Sequence, residues 1–92
     1  MVQDLFNLKE YGVFVFISTS QALKAERVLK QVSADFLVMP TPRQISSSCG
    51  LAVKVAPDNL DEVRMALEDK KVQIEGIYHI DNGGGVSRLE RW

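Results

Sequence analysis

Apolar residues along this chain fall into short dense runs separated by stripes at helical spacing. Residues 11–17, Tyr-Gly-Val-Phe-Val-Phe-Ile, are rich in β-branched and aromatic side chains and apolar at both parities. That pattern predicts a central strand covered on both faces. Ser18, Thr19 and Ser20 then offer capping hydroxyls, and Ala22, Ala25, Val28, Leu29 and Val32 recur on one stripe, with Lys24, Arg27 and Lys30 directed elsewhere. A helix over 20–32 is predicted. Residues 36–39, Phe-Leu-Val-Met, read as a second strand stopped by Pro40 and Pro42, which have no amide hydrogen for a ladder. In residues 51–55, Leu51, Val53 and Val55 alternate with Ala52 and Lys54, so the odd positions should face the core and Lys54 the opposite side. Pro57, Asp58 and Asn59 break this third strand. Asn59 and Glu62 have capping-box spacing, and Leu60, Val63, Ala66 and Leu67 form the buried stripe of a second helix that Lys70 and Lys71 close favourably for its dipole. Residues 73–80 supply a fourth strand.

The order βαββαβ predicts an α+β, ferredoxin-like sandwich, with a four-stranded antiparallel-type sheet and two helices on one face. Right-handed crossovers are expected to set the first and third strands side by side and parallel. Residues 1–80 form this single domain, and Asp81-Asn82-Gly83-Gly84-Gly85 leads into a glycine-rich, flexible tail over 81–92. Phe14 and Phe16 share one face of the first strand, while Val13, Val15 and Ile17 share the other. One of these sets must lie away from the helices. It therefore calls for a cover, most simply a second copy of the chain in a homodimer, or else the terminal segments, including Trp92, folded back.

Ninety-two residues, 46% hydrophobic and 25% charged, are enough for one modest core. Eleven basic against twelve acidic side chains give a formal charge of −1. No sequence-wide field draws the chain to phosphate backbones or anionic lipid, so neither nucleic acid nor membrane is expected as a partner. The longest apolar run, residues 13–17, is far short of the roughly 20 residues that span a bilayer, and Met1-Val2-Gln3-Asp4 lacks the basic start of a signal peptide. A cytoplasmic protein is expected. One cysteine and one histidine complete neither an internal disulfide nor a four-ligand Cys/His zinc site, so no metal is expected and Cys49 should remain a thiol in a reducing compartment. Gly83-Gly84-Gly85 has no Lys-Ser/Thr pair after it and reads as a hinge rather than a phosphate loop, leaving no cofactor motif. Asp58, Asp61 and Glu62 read as a helix start rather than a metal cluster.

The chemistry concentrates in the loop Pro40-Thr41-Pro42-Arg43-Gln44-Ile45-Ser46-Ser47-Ser48-Cys49-Gly50, which is longer than an ordinary hairpin connection. A cysteine beside glycine, preceded by hydroxyls and an arginine, has the ingredients of a stabilised thiolate: positive charge from Arg43, donors from Ser46, Ser47 and Ser48, and exposed amides around Gly50. Gly50 lets a substrate approach the backbone and tolerates positive φ. The alternative is inert packing, because reduced cysteines are among the most buried side chains and Cys49 adjoins a strand. Equally, the serines can be turn residues and Arg43 a solvated charge. His79 is on the fourth strand, with its far end expected at the sheet edge that carries Cys49. The first strand nevertheless intervenes, and two strand spacings, roughly 10 Å, argue against a Cys-His dyad. A phosphatase loop is excluded, since Arg43 precedes the cysteine and Val55 stands six residues after it.

The progression from the first strand through Ala25-Glu26, Pro40-Thr41-Pro42-Arg43, Ser46-Ser47-Ser48-Cys49-Gly50 and Ile74-Glu75-Gly76-Ile77-Tyr78 resembles the small bacterial proteins called selenium/sulfur carrier-like. The resemblance covers residues 11 to 78. It implies that Cys49 accepts sulfur or selenium as a persulfide or selenopersulfide, taken from a donor protein and passed to an acceptor. Arg43 and Gly50 match the surrounding motif, and charge-stabilising and backbone-opening roles are assigned to them by inference. Such a carrier needs a nucleophilic sulfur but no acid-base constellation, which suits a chain with no general base beside its thiol. A carrier or binding protein is thus expected ahead of a turnover enzyme. The rival readings are a small-molecule-binding regulatory module that uses Arg43 and the serines, and a protein-interaction domain that uses the open sheet face.

Overall fold

A computed structural model describes residues 8–45, 49–81, 83 and 85–89. Strand β1 (Tyr11–Phe16) leads into helix α1 (Thr19–Gln31), followed by strands β2 (Leu37–Pro40) and β3 (Leu51–Val55). A 3₁₀ turn, Pro57–Asn59, precedes helix α2 (Leu60–Asp69), and the chain ends in strands β4 (Ile74–Ile80) and β5 (Val86–Leu89). The five strands lie in the order β2-β3-β1-β4-β5, and every neighbouring pair is antiparallel.

Two expectations about the sheet need correction. β1 and β3 are side by side but antiparallel. Each helical crossover skips a strand: α1 carries the chain from β1 to β2 with β3 between them, and α2 carries it from β3 to β4 with β1 between them. The parallel pairs are therefore next-but-one. The sheet also has five strands, not four, because β5 forms inside the stretch read as a tail. The carboxylate of Asp81 accepts hydrogen bonds from the amides of Gly83 (3.0 Å) and Gly85 (2.8 Å), and the Asp81 amide donates to Gly85 O at 2.9 Å. A Cβ on Gly85 would sit 2.8 Å from Asp81 Oδ2, so a side chain there would push the carboxylate from its place against the turn amides. What looked like a flexible run is the turn of a hairpin that pairs Ile80 with Val86 and Ile77 with Leu89.

Strand alternation divides the core in two. On the helix side, Phe14, Phe16, Val53, Val55 and Ile77 of the sheet cluster with Ala22, Ala25, Val28 and Leu29 of α1 and Leu60, Val63 and Leu67 of α2. These are the helical stripes expected, except that Val32 lies past the end of α1 and is exposed. On the other face, Val13, Val15, Ala52 and Ile80 cluster with Ile45 of the β2–β3 loop. Val13 and Val15 are 0% exposed within the single chain, so burying them requires no second copy. Trp92, the alternative cover, lies outside the described residues. Lys54 faces away from the helices as expected but is only 7% exposed, with its ammonium 4.2 Å from the centroid of the Tyr11 ring.

The helix ends show how local chemistry fixes the elements. Ser18 caps α1, its hydroxyl accepting from the Gln21 amide at 3.3 Å. Asn59 makes no side-chain cap for α2, contrary to the capping-box reading, because the 3₁₀ turn runs directly into the helix. Both helices close with the same device. Ala34 N donates to Leu29 O and Val72 N to Leu67 O, each across a residue at positive φ, Ser33 at 57° and Lys71 at 59°. No helix among the described residues is long and apolar enough to cross a membrane.

Candidate functional site

The register Val15↔Ala52 sets the start of β3 beside the end of β1. Cys49 and Gly50 therefore lie at the sheet edge where the chain leaves β1 for α1. Cys49 shares the parity of Leu51, Val53 and Val55, and its side chain joins the helix-side cluster that contains Phe16, Ala22 and Val53. It is 2% exposed. The thiol donates to Leu51 O at 3.3 Å and accepts from the Leu51 amide at 3.4 Å, so the sulfur is pinned to the backbone that opens β3. Of the two situations the sequence leaves open for this side chain, an accessible thiol in a polar loop and a thiol packed in the core, the structure has the buried one. Strand alternation, not the hydrophilicity of the neighbours, decides where this side chain goes.

Thr41, one residue past β2, faces the Cys49-Gly50 segment across the neck of the loop. Its hydroxyl donates to Cys49 O at 2.9 Å and its amide to Gly50 O at 3.0 Å. The amide bond extends the β2–β3 ladder one step beyond Pro40↔Leu51. Inside the loop, Ile45 N donates to Pro42 O at 3.0 Å, closing a turn around Arg43 and Gln44. This turn places Ile45 against Val13, Val15 and Ala52. Ile45 was not singled out in the sequence, although it is the one large aliphatic in an otherwise polar loop, which is the signal that could have found it.

Arg43 is exposed while Cys49 is buried, and no hydrogen bond among the described residues joins them. Gly50 is exposed, and a Cβ built on it would meet nothing within 4 Å. Its backbone is outside the left-handed region, so the open approach expected at this position exists without any conformational need for glycine. Ser46, Ser47 and Ser48 lie outside the described residues.

His79 is far from the thiol for two reasons. β1 separates β3 from β4, as the sequence implied, but the pairing His79↔Gly12↔Val55 also puts the imidazole at the end of the sheet opposite Cys49, not at the same edge. Its Nε2 lies 3.4 Å from a carboxylate oxygen of Glu10. Among the described residues no three His, Cys, Asp or Glu side chains converge as metal ligands would. A cleft of about 220 Å³ opens between the end of α2 and the β4–β5 hairpin, bordered by Glu68, Glu75, Ile77 and Arg88. Neither Cys49, Arg43 nor Gly50 lines it.

The chain matches the family model described as "Putative Se/S carrier protein-like" over residues 11–79, which takes in β1 through β3, all but the last residue of β4 and the whole cysteine loop. No curated protein and no solved structure matches it.

Proposed function

The chain belongs to the Se/S carrier protein-like family, and from that premise we propose that Cys49 is the atom carrier: it accepts sulfur or selenium from a donor protein and releases it to an acceptor. The observation that supports this most directly is that Cys49 is the only cysteine of the chain and falls within the matched residues. A chalcogen carried as a persulfide has no other thiol to occupy. In the sulfur case the deprotonated Cys49 attacks the terminal sulfur of a donor persulfide, R–S–SH. A bond forms from Cys49 Sγ to that sulfur, the donor S–S bond breaks, and the donor leaves as the thiolate R–S⁻. An acceptor thiolate then takes the terminal sulfur from Cys49 by the same exchange. No oxidant or reductant is consumed.

Arg43, Ser46, Ser47, Ser48 and Gly50 are the proposed surroundings of the loaded sulfur. Arg43 supplies charge, the hydroxyls supply donors, and Gly50 gives an open face on which the partner approaches. The same reading takes the first four strands and both helices as a ferredoxin-like sandwich extended by β5. The order β2-β3-β1-β4 and the placement of α1 and α2 against one face support it. Incubation of the purified chain with a persulfide donor, followed by intact-mass measurement, should show one added chalcogen atom that is labile to reductant. The adduct should be absent from Cys49→Ser and Cys49→Ala.

The burial of Cys49 favours a second reading, in which the thiol only fills the core and the chain is a small-molecule-binding or protein-interaction module. That reading expects no adduct on the wild type. The small-molecule-binding form of it also expects ligand-dependent thermal stabilisation that survives Cys49→Ala and falls with Arg43→Ala.

A further inference from the structure

A thiol that is 2% exposed cannot meet the terminal sulfur of another protein's persulfide, so in a carrier the side chain must leave the core before transfer. What holds it there is therefore part of how the carrier works. The loop neck contains two bonds from one residue with different places in the fold. The Thr41 amide bond to Gly50 O belongs to the β2–β3 ladder, whereas the Thr41 hydroxyl bond to Cys49 O is a side-chain contact one residue beyond it. The second can break while the first, and the whole strand pairing behind it, stays intact. Gly50, open on its outer side, gives the backbone between them room to swing.

We infer that Thr41 is a positioning residue for Cys49, its hydroxyl setting how often the thiol emerges from the core for exchange. The inference rests on the reading of Cys49 as the sulfur acceptor for its purpose, but not for its test. Removal of the hydroxyl with the β-branched shape retained, Thr41→Val, deletes one neutral hydrogen bond and leaves the ladder amide in place. If exposure is a local opening in rapid equilibrium, native-state alkylation of Cys49 should accelerate by about fivefold, the ratio expected for one such bond. Thr41→Ser, which restores the hydroxyl, should return the rate to the wild-type value.

The experiment measures the rate of iodoacetamide alkylation of the native chain for the wild type, Thr41→Val and Thr41→Ser, each across low urea concentrations below the unfolding transition. Local opening is expected to give rates nearly independent of urea; rates that climb steeply with urea in all three would show that the thiol is reached only by global unfolding and would overturn the inference. A Thr41→Val rate equal to wild type, or a Thr41→Ser rate as fast as Thr41→Val, would overturn it as well. Persulfide loading of the same three proteins separates this result from the carrier reading. Faster alkylation without any chalcogen adduct leaves Thr41 as the residue that controls Cys49 and removes the carrier. An adduct on the wild type with no effect of Thr41 on alkylation leaves the carrier and removes the role of Thr41.

Discussion

The Thr41 hydroxyl and the Cys49 carbonyl, 2.9 Å apart across the neck of a ten-residue loop, join the end of one strand to the segment that leads into the next. Behind that contact the sulfur is turned inward among the side chains of α1, β1 and β3.

Alkylation of the native wild type should therefore be slow. Relative to the same chain in denaturant, the rate is expected to fall on the order of a hundredfold, since the reagent waits for an opening of the loop. Iodoacetamide labelling followed by intact mass, with and without denaturant, checks it. Equal rates in the two conditions would contradict the burial of Cys49.

Cys49→Ser should be less stable than the wild type by about 1–2 kcal/mol, because it puts a strongly polar hydroxyl in an apolar cluster where the thiol sits against the Leu51 backbone. For a domain of this size that is a fall of roughly 4–15 °C in melting temperature. Thermal unfolding followed by circular dichroism measures it. Gly50→Ala, by contrast, adds a methyl group into open space and should shift the midpoint very little.

Ile45 anchors the loop to the face of the sheet opposite the thiol. Ile45→Ala is expected to lose about 2–4 kcal/mol and to raise the native-state reactivity of Cys49, since the cavity it leaves unseats the turn Pro42 to Ile45. Paired urea titration and alkylation would show whether both effects appear together.

Lys71 sits at φ 59° at the close of α2, a conformation that disfavours a side chain with a Cβ. Lys71→Gly should stabilise the chain by about 1 kcal/mol, which a urea titration resolves as a higher midpoint at unchanged slope. Gly12→Ala should do the reverse. Its Cβ would press on Leu60, whose Cγ lies 2.8 Å from the built position, and a loss of about 1–3 kcal/mol is expected, partly restored by Leu60→Val.

Periodicity carried much of the fold. The α1 stripe from Ala22 to Leu29 and the alternation of Leu51, Val53 and Val55 specify which residues of each element meet in the core between helices and sheet, and both appear as read, although Ala52 and Lys54 on the other face of β3 are buried too. Phe14 and Phe16 against Val13 and Val15 could not be assigned to faces from the strand itself, because both sets are apolar. The choice depends on which side the helices pack. β5 was hidden for a different reason: its turn is made by the Asp81 side chain bonding to glycine amides, a tertiary detail that composition registers only as flexibility. At the candidate site, the motif drew attention to Cys49 but left open whether its side chain is exposed or packed, and the structure has it packed. The parity that puts Leu51 toward the helices extends two residues back and was available in the sequence, yet the polar Ser46-Ser47-Ser48 run argued against it.

Strand β1 is flanked by pairing partners on both edges and covered on both faces. Its amide hydrogens should be the last to exchange with heavy water, released only when the entire molecule comes apart. The thiol hangs two residues before the adjacent strand, outside the pairing that locks β1, so the proposed opening of the loop would leave this keystone shut.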